Sequence, residues 1–280
     1  MQEALERLSN AATHPDIDRA QHLQNAELNP KLEADWGDYS SAKFFLLTKI
    51  IIKAAGDHDL HLVIMVRGDR SQEVVERYLK GKGFSYTRPR EQMGIDTNIE
   101  VSMVKAGLSF GIQATSSDGI IETYRAPSAL IALDSSLNIK NPNVEHLRTI
   151  FARQGHLLPV IRLLVASSSE HVELCFPGPS TPEHLLHLLR YTKQLSDIVG
   201  DLQDDALGVS EDADEIVKCL RSDNFNATWS LPVVEPLREA EADLMEPYAA
   251  EEQSQNDAEQ EKTPVPQASK RPIVSLNLDP

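Results

Sequence analysis

The chain has 280 residues, 41% of them apolar and 25% charged, a composition that builds one globular domain plus an unfolded segment and excludes fibrous architectures. Its 27 Lys and Arg against 43 Asp and Glu leave a net charge of −16. No run approaches the roughly 18 consecutive apolar residues of a bilayer crossing, and MQEALERLSN lacks the basic-then-apolar order of a secretory signal, so a soluble intracellular protein without a membrane partner is expected.

Residues 1–39 read as an N-terminal helical extension. Ser41 to Ala55 then places Phe44, Leu47, Ile51 and Ala55 on one helical face, with Ser40 or Ser41 available as the cap and Gly56 as the stop. LHLVIMV (60–66) reads as a central strand, Ser71 to Lys80 as a helix with Val74, Val75, Tyr78 and Leu79 inward, and FSYTR (84–88) as a strand after the breakers Gly81 and Gly83. Together they make a βαβ unit. VSMVKA (101–106), ALIALD (129–134) and LPVIRLLVA (158–166) are further strands, whereas 107–127 has no clear pattern. Helices are expected over Asn143 to Gln154, Thr181 to Val199 and Glu211 to Leu220, with a short helix or turn over Ser168 to Cys175. Short apolar runs alternating with helical periods predict an α/β fold, a largely parallel sheet with helices on both faces. Residues 179–222 form helices that pack on this lobe (40–178) or on a partner.

The acidity is local. Residues 195–262 hold 19 acidic and 4 basic side chains, against 23 and 21 in residues 1–194. Residues 223–280, rich in Pro, Glu, Ala and Gln and poor in aromatics, read as a disordered acidic tail that cannot bury enough apolar surface to offset its ordering entropy. Its last segment, KRPIVSLNLDP, turns basic and then apolar, a frayed terminus or, alternatively, a short docking peptide.

Several pieces resemble one family in order and spacing. LSNAATHPDI (8–17) is similar to a Leu-rich stretch ending in His-Pro, and SSAKFFLLTKII (40–51) to a Ser-(Gly)-Lys helix. LHLVIMVRGDRSQEVVERYLKGKGFSYTR (60–88) is similar to a strand, helix and Tyr-x-Arg unit. ALIALDSSLNIKNPNVEHLR (129–148) resembles a strand ending in Asp, an Asn-rich loop and a helix, and LPVIRLLVASSSEHVEL (158–174) a final strand followed by a Ser-x-Glu-His turn. Over residues 5 to 176 the chain thus resembles the second RecA-like lobe of Snf-type remodelling ATPases, and more closely subunits 2 and 3 of the fungal class II histone deacetylase complex, which carry that lobe in a non-catalytic form. The resemblance implies a RecA-like helicase C-terminal lobe. It also implies a nuclear scaffold subunit acting in chromatin silencing, partnered by a class II histone deacetylase and a paralogous subunit. Family members usually continue into a long coiled coil, but no sustained heptads follow residue 200 here.

The chemistry of an active motor is not legible. The sequence has no GxxxxGK[ST] loop to cradle phosphates and no acidic pair after a strand for Mg²⁺. Active relatives carry two arginines three apart on the helix after the Asp strand. Here Arg148 and Arg153 are five apart, about 140° around a helix instead of about 60°, and Phe151 stands where the second arginine belongs. No cofactor and no catalytic residue are expected. The alternative is one lobe of a Snf-type ATPase, split or incomplete, whose other lobe is encoded separately or missing from this sequence.

Other clusters suggest less. DHDLH (57–61) reads as a solvated turn, EHLLH (183–187) lacks the Glu of a zinc-protease helix, and no metal site is expected. Ser167 to His171 lacks a GxSxG elbow and reads as a helix cap formed by Ser168 or Ser169, and Cys175 and Cys219 as buried thiols. Two surfaces could bind partners. Arg67, Arg70, Lys80, Lys82, Arg88 and Arg90, with Arg77, form a basic patch suited to the phosphates of double-stranded DNA, unless pairs such as Glu73 with Arg77 and Glu76 with Lys80 absorb it. Leu185, Leu188, Leu189 and Leu195 could form a partner face or pack onto the sheet.

Overall fold

The computed structural model describes residues 1–18, 29–56, 60–87, 89–91, 97–99, 108–115, 125–199, 206–222, 231, 233–234 and 274–279. The helices are α1 (Gln2–Thr13), α2 (Pro30–Ser40), α3 (Ala42–Ala54), α4 (Asp69–Lys82), α5 (Pro142–Ile150), α6 (Ser169–Cys175), α7 (Pro182–Gln194) and α8 (Ala206–Ser222). The strands are β1 (His61–Val66), β2 (Ser85–Thr87), β3 (Pro89–Glu91), β4 (Thr97–Ile99), β5 (Ser109–Ala114), β6 (Ala129–Ala132), β7 (Val160–Val165) and β8 (Val274–Asp279).

Strands β1 and β6 are buried at every position, which is why they read as unbroken apolar runs. Alternate residues divide between two faces. Leu62, Ile64 and Val66 of β1, with Ile131 of β6 and Ile161, Leu163 and Val165 of β7, join a core with α3, α4 and α8. Val63, Met65, Leu130, Ala132 and Val160 point the other way, onto Val144 and Leu147 of α5. The sheet order is β2-β5-β1-β6-β7-β8, parallel from β2 to β7 and antiparallel at β8. The protein is therefore α/β with a five-stranded parallel sheet covered on both faces.

Several expectations change in detail. The βαβ unit is real, but β2 does not lie beside β1. The unpatterned 107–127 segment contains β5, which sits between them, with Leu62 opposite Phe110 and Tyr86 also opposite Phe110. VSMVKA (101–106) lies outside the described residues. Gly81 does not break α4. It lies inside the helix because α2 crosses there, and a Cβ at this position would stand 2.0 Å from the Pro30 carbonyl oxygen. Gly83 ends the helix at φ 76°, in the left-handed region that glycine tolerates best. The helix expected over 143–154 stops at Ile150, since Gln154 and Gly155, with φ 49° and 83°, make a tight hairpin turn pairing Arg153 with His156. Ala54, not Ala55, completes the buried face of α3.

Two pieces of the expected acidic tail are ordered. Val234 is buried against Val172 and Leu188, and residues 274–279 form β8. Val234 finds a surface the local composition does not reveal, and β8 pairs along its backbone with β7; most of the remaining tail lies outside the described residues.

Candidate functional site at the carboxyl edge of the sheet

The chain runs from β1 outward to β2 and β5, then returns to the other side of β1 as β6 and β7. Strand order therefore reverses between β1 and β6, the place where open α/β sheets receive ligands beyond their carboxyl ends. Three strand ends deliver the residues found there: Arg67 after β1, Asp134 after β6, and Ser167 to Glu170 after β7.

Asp134 stitches this crevice shut. Its Oδ2 accepts from the Arg67 backbone N–H at 2.8 Å, and its Oδ1 accepts from the Ser136 backbone at 2.9 Å and from the Ser136 hydroxyl. The Thr115 and Ser136 hydroxyls lie 2.6 Å apart, and Thr115 N–H donates to Val66 O at 2.7 Å. The strand ending in Asp thus provides a turn-closing carboxylate.

Beside it lies a buried ion pair, Lys43 with Glu170, exposed by 0% and 1%. Ser41 caps α3 by accepting from Phe44 N–H, which puts Lys43 in the first turn, and its hydroxyl also donates to Thr13 O at 2.6 Å, holding the end of α1. Ser168 caps α6, so Glu170 falls in the first turn of that short helix, where a carboxylate complements the unpaired N–H groups. Lys43 Nζ donates to Glu170 Oε2, to Leu133 O at 2.7 Å and to Thr13 Oγ1 at 3.3 Å. Glu170 Oε1 accepts from Ser9 Oγ at 2.8 Å and from Ser135 N–H at 3.2 Å. The three ammonium protons meet three acceptors, and both carboxylate oxygens are used. Such saturation is what makes a buried pair tolerable. The network ties α1, α3, α6 and the loop after β6 into one body. Helix α1 lies across the mouth of the crevice, where Glu6 pairs with Arg67 at 3.4 Å. The arrangement joins elements; it presents no open, activated nucleophile or acid.

A second feature adjoins it. His14, directly after α1, is buried; its Nδ1 accepts from Asp16 N–H at 3.1 Å, so the ring proton sits on Nε2, 3.4 Å from Ser40 Oγ. Burial holds its pKa down at about 4, with Asp16 opposing the shift. His14 lines a groove of about 280 Å³ with Leu32, Trp36, Phe44, Val74 and Tyr78. Trp36 Nε1 donates to Asp16 Oδ2 at 2.9 Å across its rim.

The basic patch is largely paired within the molecule. Arg67 meets Glu6, Arg70 meets Glu73 at 2.8 Å, and Lys82 meets Asp38 at 2.6 Å and Asp35 at 3.3 Å. The middle of α4 also has partners outside the helix. Arg77 reaches Glu33 of α2 at 3.6 Å, and Glu76 accepts from the Tyr86 hydroxyl at 3.0 Å. Lys80 is exposed. Arg90 lies in β3 opposite Asn98, and Arg88 is outside the described residues. Of the leucines, Leu188 and Leu195 are buried with Val172, Tyr191 and Val234, while Leu185 and Leu189 are half-buried.

Arg148 and Arg153 serve the fold. Arg148 is 4% exposed and donates through Nε to Leu158 O at 2.9 Å, and Arg153 donates to Pro127 O at 3.1 Å. Ser168 is the α6 cap, and His171 Nδ1 accepts from Ser167 N–H at 3.0 Å. His187 packs on Phe176 and Tyr191. Cys175 and Cys219 are partly exposed, not buried; partial burial still pushes both thiols up. Among the described residues no three His, Cys, Asp or Glu side chains cluster as a metal would need.

Sequence reasoning did not assign Lys43 and Glu170 to one site. A signal existed: Lys43, Leu47 and Ile50 share the apolar stripe of α3, so a lysine there must find a buried partner.

Comparison with known proteins adds the following. The family model of class II histone deacetylase complex subunits 2 and 3 matches residues 1–220, further than the resemblance over 5 to 176 reaches. A chain from structural and functional studies of the yeast class II Hda1 histone deacetylase complex superposes with a TM-score of 0.65 at 20% identity, covering 85% of this chain and 79% of that one. A chain from the crystal structure of fission yeast Ccq1 and Tpz1 superposes with a TM-score of 0.50 at 14% identity, covering 84% and 81%. No curated protein matches significantly.

Proposed function

The chain belongs to the family of class II histone deacetylase complex subunits 2 and 3, and from that premise we propose that it works as a non-catalytic scaffold subunit of such a complex. One observation carries this reading. The crevice where an α/β sheet would receive a ligand is filled by the saturated Lys43–Glu170 network and covered by α1, so this edge is used for cohesion. A class II histone deacetylase and a paralogous subunit are its partners, in the nucleus, at silenced chromatin. Helix α7 supplies the contact face through Leu185 and Leu189, which are half-buried where Leu188 and Leu195 are buried.

The test is co-purification of the tagged full chain from nuclear extract. Deacetylase activity and a second subunit are expected in the eluate, and L185D/L189D is expected to lose both while keeping its helical circular dichroism. An eluate without deacetylase under mild salt overturns the assignment. Weak, sequence-independent contact with duplex DNA is the finer part of the reading. It would draw on Lys80 and on Arg67, Arg70 and Lys82 as their acidic neighbours release them, so a gel shift seen at 50 mM salt should vanish by about 200 mM and be weakened by Lys80→Glu. A shift indifferent to salt and to that change refutes it.

A further inference from the structure

Strand β7 ends the parallel part of the sheet, and its outer edge carries β8, antiparallel, with six residues paired on six from Val165 with Val274 to Val160 with Asp279. The register is selective. Val274, Leu276 and Leu278 stand opposite Val165, Leu163 and Ile161, the β7 residues that belong to the core beneath α3, and α3 packs against both strands. Ser275, Asn277 and Asp279 stand opposite Leu164, Arg162 and Val160. A slip by one residue would reverse the alternation and set the three polar residues opposite that core face. The apolar pattern of VSLNLD is therefore matched to this edge.

Its attachment differs from that of the other strands of the sheet. Residues 235–273 separate β8 from the buried Val234, far more than the two to six residues that usually connect packed elements, so pairing with β7 and contact with α3, not a short connection, hold β8 in place. An edge strand is a template for any extended segment, and a tethered segment competes through its effective concentration, in the millimolar range for flexible tethers.

We propose that the outer edge of β7 is a strand-docking site which the chain's own residues 274–279 occupy reversibly in cis. The segment it accepts is extended, runs antiparallel to β7 and carries an apolar residue at every second position. While the cis strand is seated, the edge is closed to other strands.

The experiment uses the full chain with a protease site introduced between residues 250 and 260 and a fluorescent peptide of sequence PIVSLNLDP. Before cleavage the chain should be monomeric and bind the peptide at least about tenfold more weakly than after cleavage. After native cleavage the released tail should co-elute with the body at high concentration, dissociate on dilution and be replaced by the labelled peptide. A peptide with both Leu276→Pro and Asn277→Pro should bind at least about tenfold more weakly, since of two adjacent N–H groups one faces β7 and proline cannot donate to the ladder. Equal peptide binding before and after cleavage, a tail that separates while the peptide does not bind, or a strand-swapped dimer before cleavage overturns the proposal.

Discussion

At the residue scale, Lys43 and Glu170 are worth most. Both are fully buried, each supplies what the other lacks, and removing one leaves a charge in the core without a counter-charge. Lys43→Met should therefore destabilise the fold by about 3–5 kcal/mol, and Glu170→Leu by a similar amount. The double variant should cost clearly less than the sum, because it removes both charges and leaves only neutral groups, the Ser9 and Thr13 hydroxyls, the Ser135 N–H and the Leu133 carbonyl, to find new partners. Urea midpoints of the four proteins measure this. Additive losses would mean the two groups are held independently of each other.

At the element scale, α2 and α4 meet so closely that only a hydrogen fits at position 81. A Cβ there would lie 2.0 Å from Pro30 O and 2.7 Å from the Ala34 Cβ. Helix propensity favours alanine by about 1 kcal/mol, but overpacking costs about 1–3 kcal/mol, and a clash with backbone cannot be relieved by a side-chain rotation. Gly81→Ala should thus lower the melting temperature, and a rise would show that the two helices separate freely. The same crossing explains why a glycine read as a helix stop lies within the helix. Local composition distinguishes glycine for a turn from glycine for a close approach only when the neighbouring element is known.

At the scale of the whole molecule, stability depends on two neutral histidines, one on each side of the sheet. His14 lies beyond the carboxyl edge. His61 opens β1 at the other end, with Nδ1 2.9 Å from Ser109 Oγ and Nε2 buried. Burial lowers both from 6.5 to about 4, Arg125 adding to the effect on His61 and its contact with Ser109 opposing it. Between these values the unfolded chain binds protons that the folded chain refuses. The stabilisation is therefore complete above pH 6.5 and is lost as the pH falls toward 4, on the order of 2 kcal/mol per histidine by pH 5. Denaturation midpoints at pH 7.5 and 5 should differ accordingly, and His61→Asn should flatten the dependence. A midpoint unchanged over this range would mean that the rings charge in place.

Much of this architecture could be read along the chain. Strands buried on both faces must be unbroken apolar runs, and amphipathic helices must repeat every three to four residues, so β1, β6, β7, α3, α4 and α7 announced themselves through local physics alone. The caps were visible for the same reason as one of two neighbouring serines, Ser40 or Ser41 and Ser168 or Ser169, and as the Thr181 start; the structure uses Ser41, Ser168 and Thr181. What stayed hidden depends on partners distant in sequence: β5 in its place between β2 and β1, β8 at the β7 edge, and the joining of Lys43 to Glu170 across 127 residues. A single polar residue in an apolar stripe shows that a counter-charge must exist, but not which one. That choice is made when the sheet closes and brings the ends of α1, α3 and α6 within hydrogen-bonding reach.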